Sequence, residues 1–474
     1  MSVWNNFLMN LPEVAGPTQR KLGFKEKMKW TVLVLVLYYI LRLVPLFGLG
    51  PNELRRFEYL SVILGAEFGS IISLGIGPLV TASIVLQLLN GSGLWKFDTS
   101  THEGKRMFQG IQKLFSFFFI IFEGCIYVFM GGLAPPALIG ATQIKGTSLF
   151  FELELLLVFQ LFLGGVLILF MDEIVSKWGF GSGISLFIAA GVSQQLFVRT
   201  FSWLPAPGTS DAASGFTYAS GALPALVQSL SSGDPSTAGL MLGAVVSTLL
   251  IFVIAVYGQS MKVEIPLSFG RVRGHGIRWP LSFMYTSNIP VILVAALIAN
   301  IQLWGRLLQN WGHPLLGTFV GNSPSTGLVA FLSAPNMLNK ILTGSVSFSD
   351  MGHALVYMLI MMLGAMMFSY FWVQTSGMDA KSQAKQMMAS GLQIPGFRRD
   401  ARVMERLLER YITPLTIMGG LSIGFLAALA DLSGALVHGT SLLLTIMIIY
   451  RLYEDIAKQH LYDMHPALRK FMEV

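Results

Sequence analysis

The hydrophobic residues of this chain fall into separate runs of about 17–24, the length that crosses a hydrocarbon layer roughly 30 Å thick as a helix. Ten runs are read, at 28–47, 73–90, 111–130, 153–171, 183–198, 239–257, 284–304, 354–373, 412–430 and 434–452. A soluble domain does not distribute apolar residues this way. Of the 474 residues, 53% are hydrophobic and only 12% charged, about half the charge of a soluble domain. The expected fold is therefore all-α and polytopic, with ten transmembrane helices.

An even number of crossings puts both termini on one side, and the basic residues sort to that side. They lie in the N-terminal arm (Arg20, Lys21, Lys25, Lys27, Lys29), in the 258–283 loop (Lys262, Arg271, Arg273, Arg278) and in the 374–411 loop (Lys381, Lys385, Arg398, Arg399, Arg402, Arg406, Arg410). The opposite side holds few, among them Arg55, Arg56, Lys145 and Lys340. Cytoplasmic loops carry such a Lys/Arg excess, so both termini are expected in the cytoplasm. The first thirty residues are polar and show no cleavage site, so the first span is expected to act as its own targeting signal. The single cysteine, Cys125, excludes an intrachain disulfide and a cysteine metal cluster.

One span is broken. The run at 73–90 opens with Gly75, Gly77 and Pro78, and the stretch before it, "FEYLSVILGAEFGS" (57–70), is too short to cross and carries Glu58 and Glu67. Non-helical backbone at membrane depth survives only when protein buries it or a water-filled cavity receives it. Residues 57–67 thus read as a re-entrant half-helix, or else as an amphipathic helix on the outer surface. Gly65, Gly69, Gly75 and Gly77 would supply the hinge. Glu67 near the turn favours a wet cavity over lipid, where an unpaired carboxylate costs several kcal/mol. "SNIPVILVAALI" opens a later span with a similar proline interruption, so the ten spans read as two sets of five divided near 199–238. An odd number of spans per set inverts the second relative to the first, and paired interruptions point to a path between them. The Gly/Pro/Ser-rich stretches at about 199–238 and 305–352 are expected to be irregular surface loops.

Thr81, Gln87, Gln112, Glu123, Asn288 and Asn300 are polar residues inside spans. They are expected to hydrogen-bond between helices or to line a path. Ile76 and Val80, like Ile184 and Ile188, are four apart and share a helix face, which suits lipid or core as well as a pore. The basic stretches 268–279 and 378–410 serve as topology signals or meet phosphate-rich partners such as RNA or anionic lipid. Enzyme chemistry finds no support: there is no H-E-x-x-H, and Ser182 in "GFGSGIS" lacks the G-x-S-x-G spacing. No catalytic residue, cofactor or metal site is expected.

Long ordered motifs then carry a resemblance. "LGIGPLVTASIVLQLL" (74–89), "FQGIQKL" (108–114), "DEIVSKWGFGSGISLFIAAGVSQ" (172–194), "SNIPVILVAALIANIQLW" (287–304), "FSYFWVQTSGMDAKSQAKQM" (368–387) and "IYRLYE" (449–454) resemble the SecY family, the central subunit of the Sec protein-conducting channel, in its archaeal-type form. The resemblance implies two inverted five-helix halves around a central pore, with a re-entrant plug half-helix. It implies a pore ring of Ile76, Val80, Ile184, Ile188, Ile292 and Leu444, and a lateral-gate polar cluster of Thr81, Gln112 and Asn288. The plug becomes 57–67, with Phe57, Leu60, Ile63, Leu64 and Glu67, and Arg271, Arg273, Arg398 and Arg399 become a ribosome-docking surface.

The implied organisation is a cytoplasmic arm (1–27), an N-terminal half (28–198), an external linker (199–238), a C-terminal half (239–452) with basic cytoplasmic loops at 258–283 and 374–411, and a cytoplasmic tail (453–474). The implied function is to pass secretory polypeptides across the cell membrane and to release transmembrane segments sideways into lipid. Implied partners are small single-span SecE/gamma-type and beta-type subunits, the ribosome and its rRNA, nascent signal peptides and polypeptides, and membrane lipid. A rival is a secondary transporter with inverted repeats and discontinuous helices. It would need a convergent ion-binding set at the midplane, where the acidic inventory is read as nearly empty apart from Glu123.

Overall fold

The computed structural model describes residues 11–18, 22–50, 66–91, 94–95, 102–136, 138–139, 142–143, 146–210, 217–269, 276–286, 289–320, 323–389, 392–393 and 400–464. The apolar runs form helices because lipid offers no partner to a backbone amide, so each segment must satisfy its own. The N-terminal half comprises α1 (Phe24–Leu43), α2 (Gly77–Gly91), α3 (His102–Phe129), α4 (Ser148–Trp178) and α5 (Gly183–Phe201), with a small hairpin of β1 (Leu138–Ile139) and β2 (Thr142–Gln143) between α3 and α4. A hairpin of β3 (Pro205–Ser210) and β4 (Thr217–Ala219) and a short helix α6 (Ala222–Ser232) lead to the second half.

That half opens with α7 (Pro235–Ser260), then β5 (Lys262–Phe269), β6 (Gly276–Ser282) and α8 (Ile289–Asn310). A hairpin of β7 (Phe319–Val320) and β8 (Ser323–Pro324) and the short helices α9 (Gly327–Phe331) and α10 (Met337–Leu342) follow. Then come α11 (Phe348–Thr375), α12 (Ala380–Ala389), β9 (Leu392–Gln393), α13 (Ala401–Leu432) and α14 (Gly439–Met464). The spanning helices are α1–α5 in one half and α7, α8, α11, α13 and α14 in the other, ten in two inverted sets. Among the described residues, seven helices are long and apolar enough by themselves to cross a membrane.

Most helices outrun the apolar runs. The 153–171 run sits inside α4 and the 412–430 run inside α13, because caps and polar turns carry the helix past its lipid contact. Asp400 caps α13 by accepting from Arg402 N at 2.9 Å, and Ser347 forms a capping box with Asp350 at the start of α11. Two expectations need correction. The stretches 199–238 and 305–352 are not irregular throughout: they hold the β3–β4 and β7–β8 hairpins, α6, α9 and α10. The prolines also do not interrupt their helices. Pro78 and Pro290 each stand second in α2 and α8, in the first turn, where a missing N–H costs nothing.

One apolar core runs through both halves and includes Val34 and Tyr38 of α1, Ile168 of α4, Phe187 of α5, Leu303 of α8 and Phe368 of α11. A second cluster, with Ile265, Leu281, Met387 and Leu408, joins the β5–β6 hairpin to α12 and α13 on the side of the termini. There β5 pairs antiparallel with β6 from Lys262↔Ser282 to Ser268↔Gly276, and its end pairs with β9 through Phe269↔Leu392.

Candidate functional site

At 15 residues, α2 rises only about 22 Å, less than the roughly 30 Å of a hydrocarbon core. Residues 66–76 make up the difference as a chain of tight turns, with backbone bonds Ser70→Glu67, Ser73→Ser70, Gly75→Ile72 and Gly77→Leu74. Gly69 (φ 102°) and Gly75 (φ 56°) hold the left-handed conformations that these reversals require. The turns are stitched to the end of α1: Leu46 N donates to Gly69 O and Ile71 N to Val44 O, both at 2.9 Å. Phe68, Ile72 and Leu74 are buried. Glu67 sits at the free edge of this turn, paired with Arg42 of α1 at 2.6 Å. Arg42 also donates to Gln194 of α5 at 2.8 Å. The half-exposed acid at the turn thus has a largely buried cation beside it. Phe57, Leu60, Ile63 and Leu64, also expected in the plug, lie outside the described residues.

The six aliphatics come from four elements, counting the turned segment together with α2 that it opens. Ile76 ends the turned segment, and Val80 N donates back to Ile76 O at 3.0 Å in the first turn of α2. Ile184 and Ile188 lie on α5, Ile292 on α8 and Leu444 on α14. All belong to or pack on the same apolar cluster, Ile76, Val80, Ile188, Ile292 and Leu444 buried and Ile184 half-buried. A cavity of about 520 Å³ has Val80, Ile184 and Ile292 in its wall together with Gln87, Gln112 and Trp372. Its polar lining comes from Ser83 and Gln87 of α2 and from the ends of α3, α5 and α11 on the side of the termini. A second cavity of about 340 Å³ adjoins it through Gln109, Gln112 and Ile184.

Of the polar residues expected at the gate, Thr81 meets two that the expected cluster did not include. Thr81 of α2 lies 2.9 Å from Glu123 Oε1 of α3 and accepts from Asn300 Nδ2 of α8 at 2.9 Å. All three side chains are buried, and the junction ties the first half to the second. Glu123 Oε2, Asn300 Oδ1 and Tyr127 OH are buried beside it with no hydrogen-bond partner among the described residues. Gln112 is not part of this junction. It stands on α3 about three turns before Glu123 and faces the cavity instead. Asn288 lies outside the described residues. Glu123 and Asn300 were legible as polar residues in apolar runs, but nothing in one sequence says which such residues meet across helices.

The acidic inventory is also larger than Glu123 alone. Glu152 and Glu154 lie in the opening turns of α4, Asp172 near its end, and Asp431 in the last turn of α13. Asp431 accepts from Tyr357 OH at 2.7 Å and from Thr440 N at 2.9 Å, and also from Thr440 Oγ1, so it ties α11, α13 and α14 together. Asp172 accepts from Ile184 N at 3.0 Å and anchors the start of α5. Both are spent on helix ends. The basic residues Arg271, Arg273, Arg398 and Arg399 lie outside the described residues.

The SecY family model matches residues 70–453. This chain belongs to the SecY family. It is 42% identical over 470 residues to the protein translocase subunit SecY of Pyrococcus horikoshii, covering 98% of this chain and 97% of that protein. Its fold matches a solved structure of a protein conducting channel with a TM-score of 0.78 at 40% identity, covering 97% and 98% of the two chains. It also matches Sec61 in the canine ribosome-channel complex from the endoplasmic reticulum, with a TM-score of 0.75 at 39% identity over 97% and 98%. The family places the Thr81–Glu123–Asn300 junction and the six aliphatics in a SecY-type, multi-pass membrane fold.

Proposed function

We propose that this chain is the pore-forming subunit of a protein translocation channel, passing secretory polypeptides across the membrane and releasing apolar segments sideways into lipid. The single observation that carries this reading is the family match over nearly the whole chain. It weighs against a secondary transporter, as does the commitment of Asp172 and Asp431 to helix ends. Ile76, Val80, Ile184, Ile188, Ile292 and Leu444 form the constriction: such side chains make no directional bond to a passing chain, and a dewetted ring resists ions. Thr81, Glu123 and Asn300 hold the lateral gate closed between α2 and α8. A few buried hydrogen bonds of about 0.6–2 kcal/mol each suit a switch that a sufficiently apolar segment can open.

Residues 57–67 are the plug, and the Arg42–Glu67 pair fixes its hinge. The chain sits in the plasma membrane with both termini in the cytoplasm. It supplies no catalytic step, so the driving force comes from a partner, the ribosome docking on Arg271, Arg273, Arg398 and Arg399, with small SecE/gamma-type and beta-type subunits beside it. The deciding experiment places a cysteine at Ile188 in a Cys125→Ser background and crosslinks it to stalled nascent chains. Adducts to a translocating secretory chain are expected. Their absence, with adducts only from lipid-facing control positions, rejects the pore assignment.

A further inference from the structure

The segment joining the two halves carries a helix with two unlike faces. On α6, Ala222, Ala225 and Ser229 are buried at a spacing of three and four. Leu223, Val227 and Leu230 face away on the opposite stripe, 38%, 58% and 67% exposed. A helix bathed in water carries charged residues on its outer face, yet residues 217–233 contain no Asp, Glu, Lys or Arg. The polar side chains of α6 are satisfied within the protein, although Ser231 and Ser232 at its end are exposed: Ser229 Oγ donates to Leu226 O at 3.0 Å, Ser231 Oγ to Gln228 O at 2.7 Å and Ser232 Oγ to Ser229 O at 3.2 Å, and Gln228 Oε1 accepts from Ala219 N at 2.7 Å.

The neighbours say what covers the outer stripe. Gly233 (φ 72°) and Asp234 form a two-residue turn that folds α6 back beside α7, whose apolar stretch is mostly unburied. Leu242, Val246 and Leu249 of α7 are exposed along that lipid-facing side. At the other end of α6, Gly221 N donates to Ser202 O at 2.9 Å, next to Phe201, Trp203 and Leu204, which are all more than half exposed. The Leu223–Val227–Leu230 stripe therefore continues the lipid-facing surface of α5 and α7, with Trp203 at the level where aromatic residues mark a membrane boundary. We propose that α6 is embedded in the leaflet on the side away from the termini, with this stripe against acyl chains, so that the link between the two halves is anchored in lipid. An in-plane or leaning amphipathic helix of this kind binds by its buried apolar area.

The test uses the full chain, alone and co-purified with its small subunits, in palmitoyl-oleoyl phosphatidylcholine vesicles. A spin label is placed at Val227→Cys in the Cys125→Ser background, and its collisions with oxygen and with a water-soluble nickel chelate are compared. A label at Leu249→Cys gives the lipid reference and one at Leu315→Cys, 82% exposed beyond the end of α8, the aqueous reference. The expected result at Val227 is oxygen access exceeding nickel access, a depth parameter of the same sign as at Leu249. Nickel access matching Leu315 overturns the proposal, because the stripe then faces water. Protection from both agents also overturns it, because protein then covers the stripe. Leu230→Cys repeats the measurement on the same stripe should the first variant fold poorly.

Discussion

A methyl group added at Gly164 of α4 would lie 1.8 Å from the backbone oxygen of Ile71, so the helix touches the turned segment before α2 with no room for a side chain. Overfilling a packed site costs about 1–3 kcal/mol or more, and here the obstacle is backbone. Gly164→Ala is expected to lower the thermal midpoint of the detergent-purified protein by several degrees. Gly124→Ala, whose methyl would have its nearest neighbour at 3.7 Å, is expected to leave it nearly unchanged. Equal midpoints would show that the 66–76 segment does not rest on α4. Thr81 is the other single residue with leverage, since both junction bonds meet at its hydroxyl. Thr81→Val keeps the shape and removes both. With Glu123 and Asn300 left buried without their shared partner, the closed gate should lose about 1–2 kcal/mol, a factor of about 5–30 in the closed-to-open ratio. Less hydrophobic test segments should then partition into lipid during insertion. An unchanged hydrophobicity threshold would remove the junction from the gate.

The elements show where the chain's own order was readable and where it was not. Ten apolar runs located the ten spanning helices because burial in lipid demands length and hydrophobicity, both visible in one dimension. The β3–β4 hairpin and α6 were not visible, because Gly, Pro and Ser mark turns in an ordered segment as readily as in a loose one. The partner of Glu67 was equally hidden: Arg42 lies 25 residues earlier, and only the packing of α1 beside the turns brings them together. That pair also makes an element-scale prediction. Arg42 is largely buried and Glu67 half-exposed, so Arg42→Gln should loosen the hinge and raise the ion leak of the reconstituted protein, and Glu67→Gln should do the same. Matching leaks from either variant and their double mutant would show one shared interaction, whereas additive leaks would separate the two residues. At the other side of the membrane, the N-terminal arm is strapped to α4 by Lys177 with Glu13, by Lys177 with Val14 O, and by Trp178 Nε1 donating to Ala15 O at 2.9 Å. The Lys177 hydrogen bond holds the Glu13 carboxyl below its ordinary value of 4.5. A depressed acid contributes stability above its unfolded pKa and loses it as pH falls through the folded one. Hydrogen exchange over residues 11–18 should therefore be faster in Glu13→Gln than in the native chain at neutral pH. The two should converge well below pH 4.5; a constant difference at all pH would mean that the arm is held by other groups.

For the molecule as a whole, the question is whether the six aliphatics are a constriction or simply the middle of the core, because burial alone does not separate the two. Ile168 of α4 and Ile188 of α5 sit in the same apolar cluster, 0% and 1% exposed. The ring reading rests on the long family motifs, since i,i+4 spacing fixes a helix face and leaves open what lies opposite it. The two readings differ in what a lost side chain leaves behind. In a core, truncating an isoleucine opens a void among groups that relax only partly and costs about 2–5 kcal/mol. In a ring closed only by side chains from four elements, truncation opens a path that water can enter, and hydration of that path offsets part of the loss. Ile168→Ala should therefore lower stability by the full core amount and leave bilayer conductance at its native level. Ile188→Ala should cost less in thermal stability and raise ion conductance, because a wider constriction no longer stays dry. If both variants lose stability equally and neither conducts, the six residues are core. If the two separate as expected, the cavity walled by Val80, Ile184 and Ile292 is the mouth of a path that continues past Ile188, and the seal is made of side chains that a passing polypeptide can push aside.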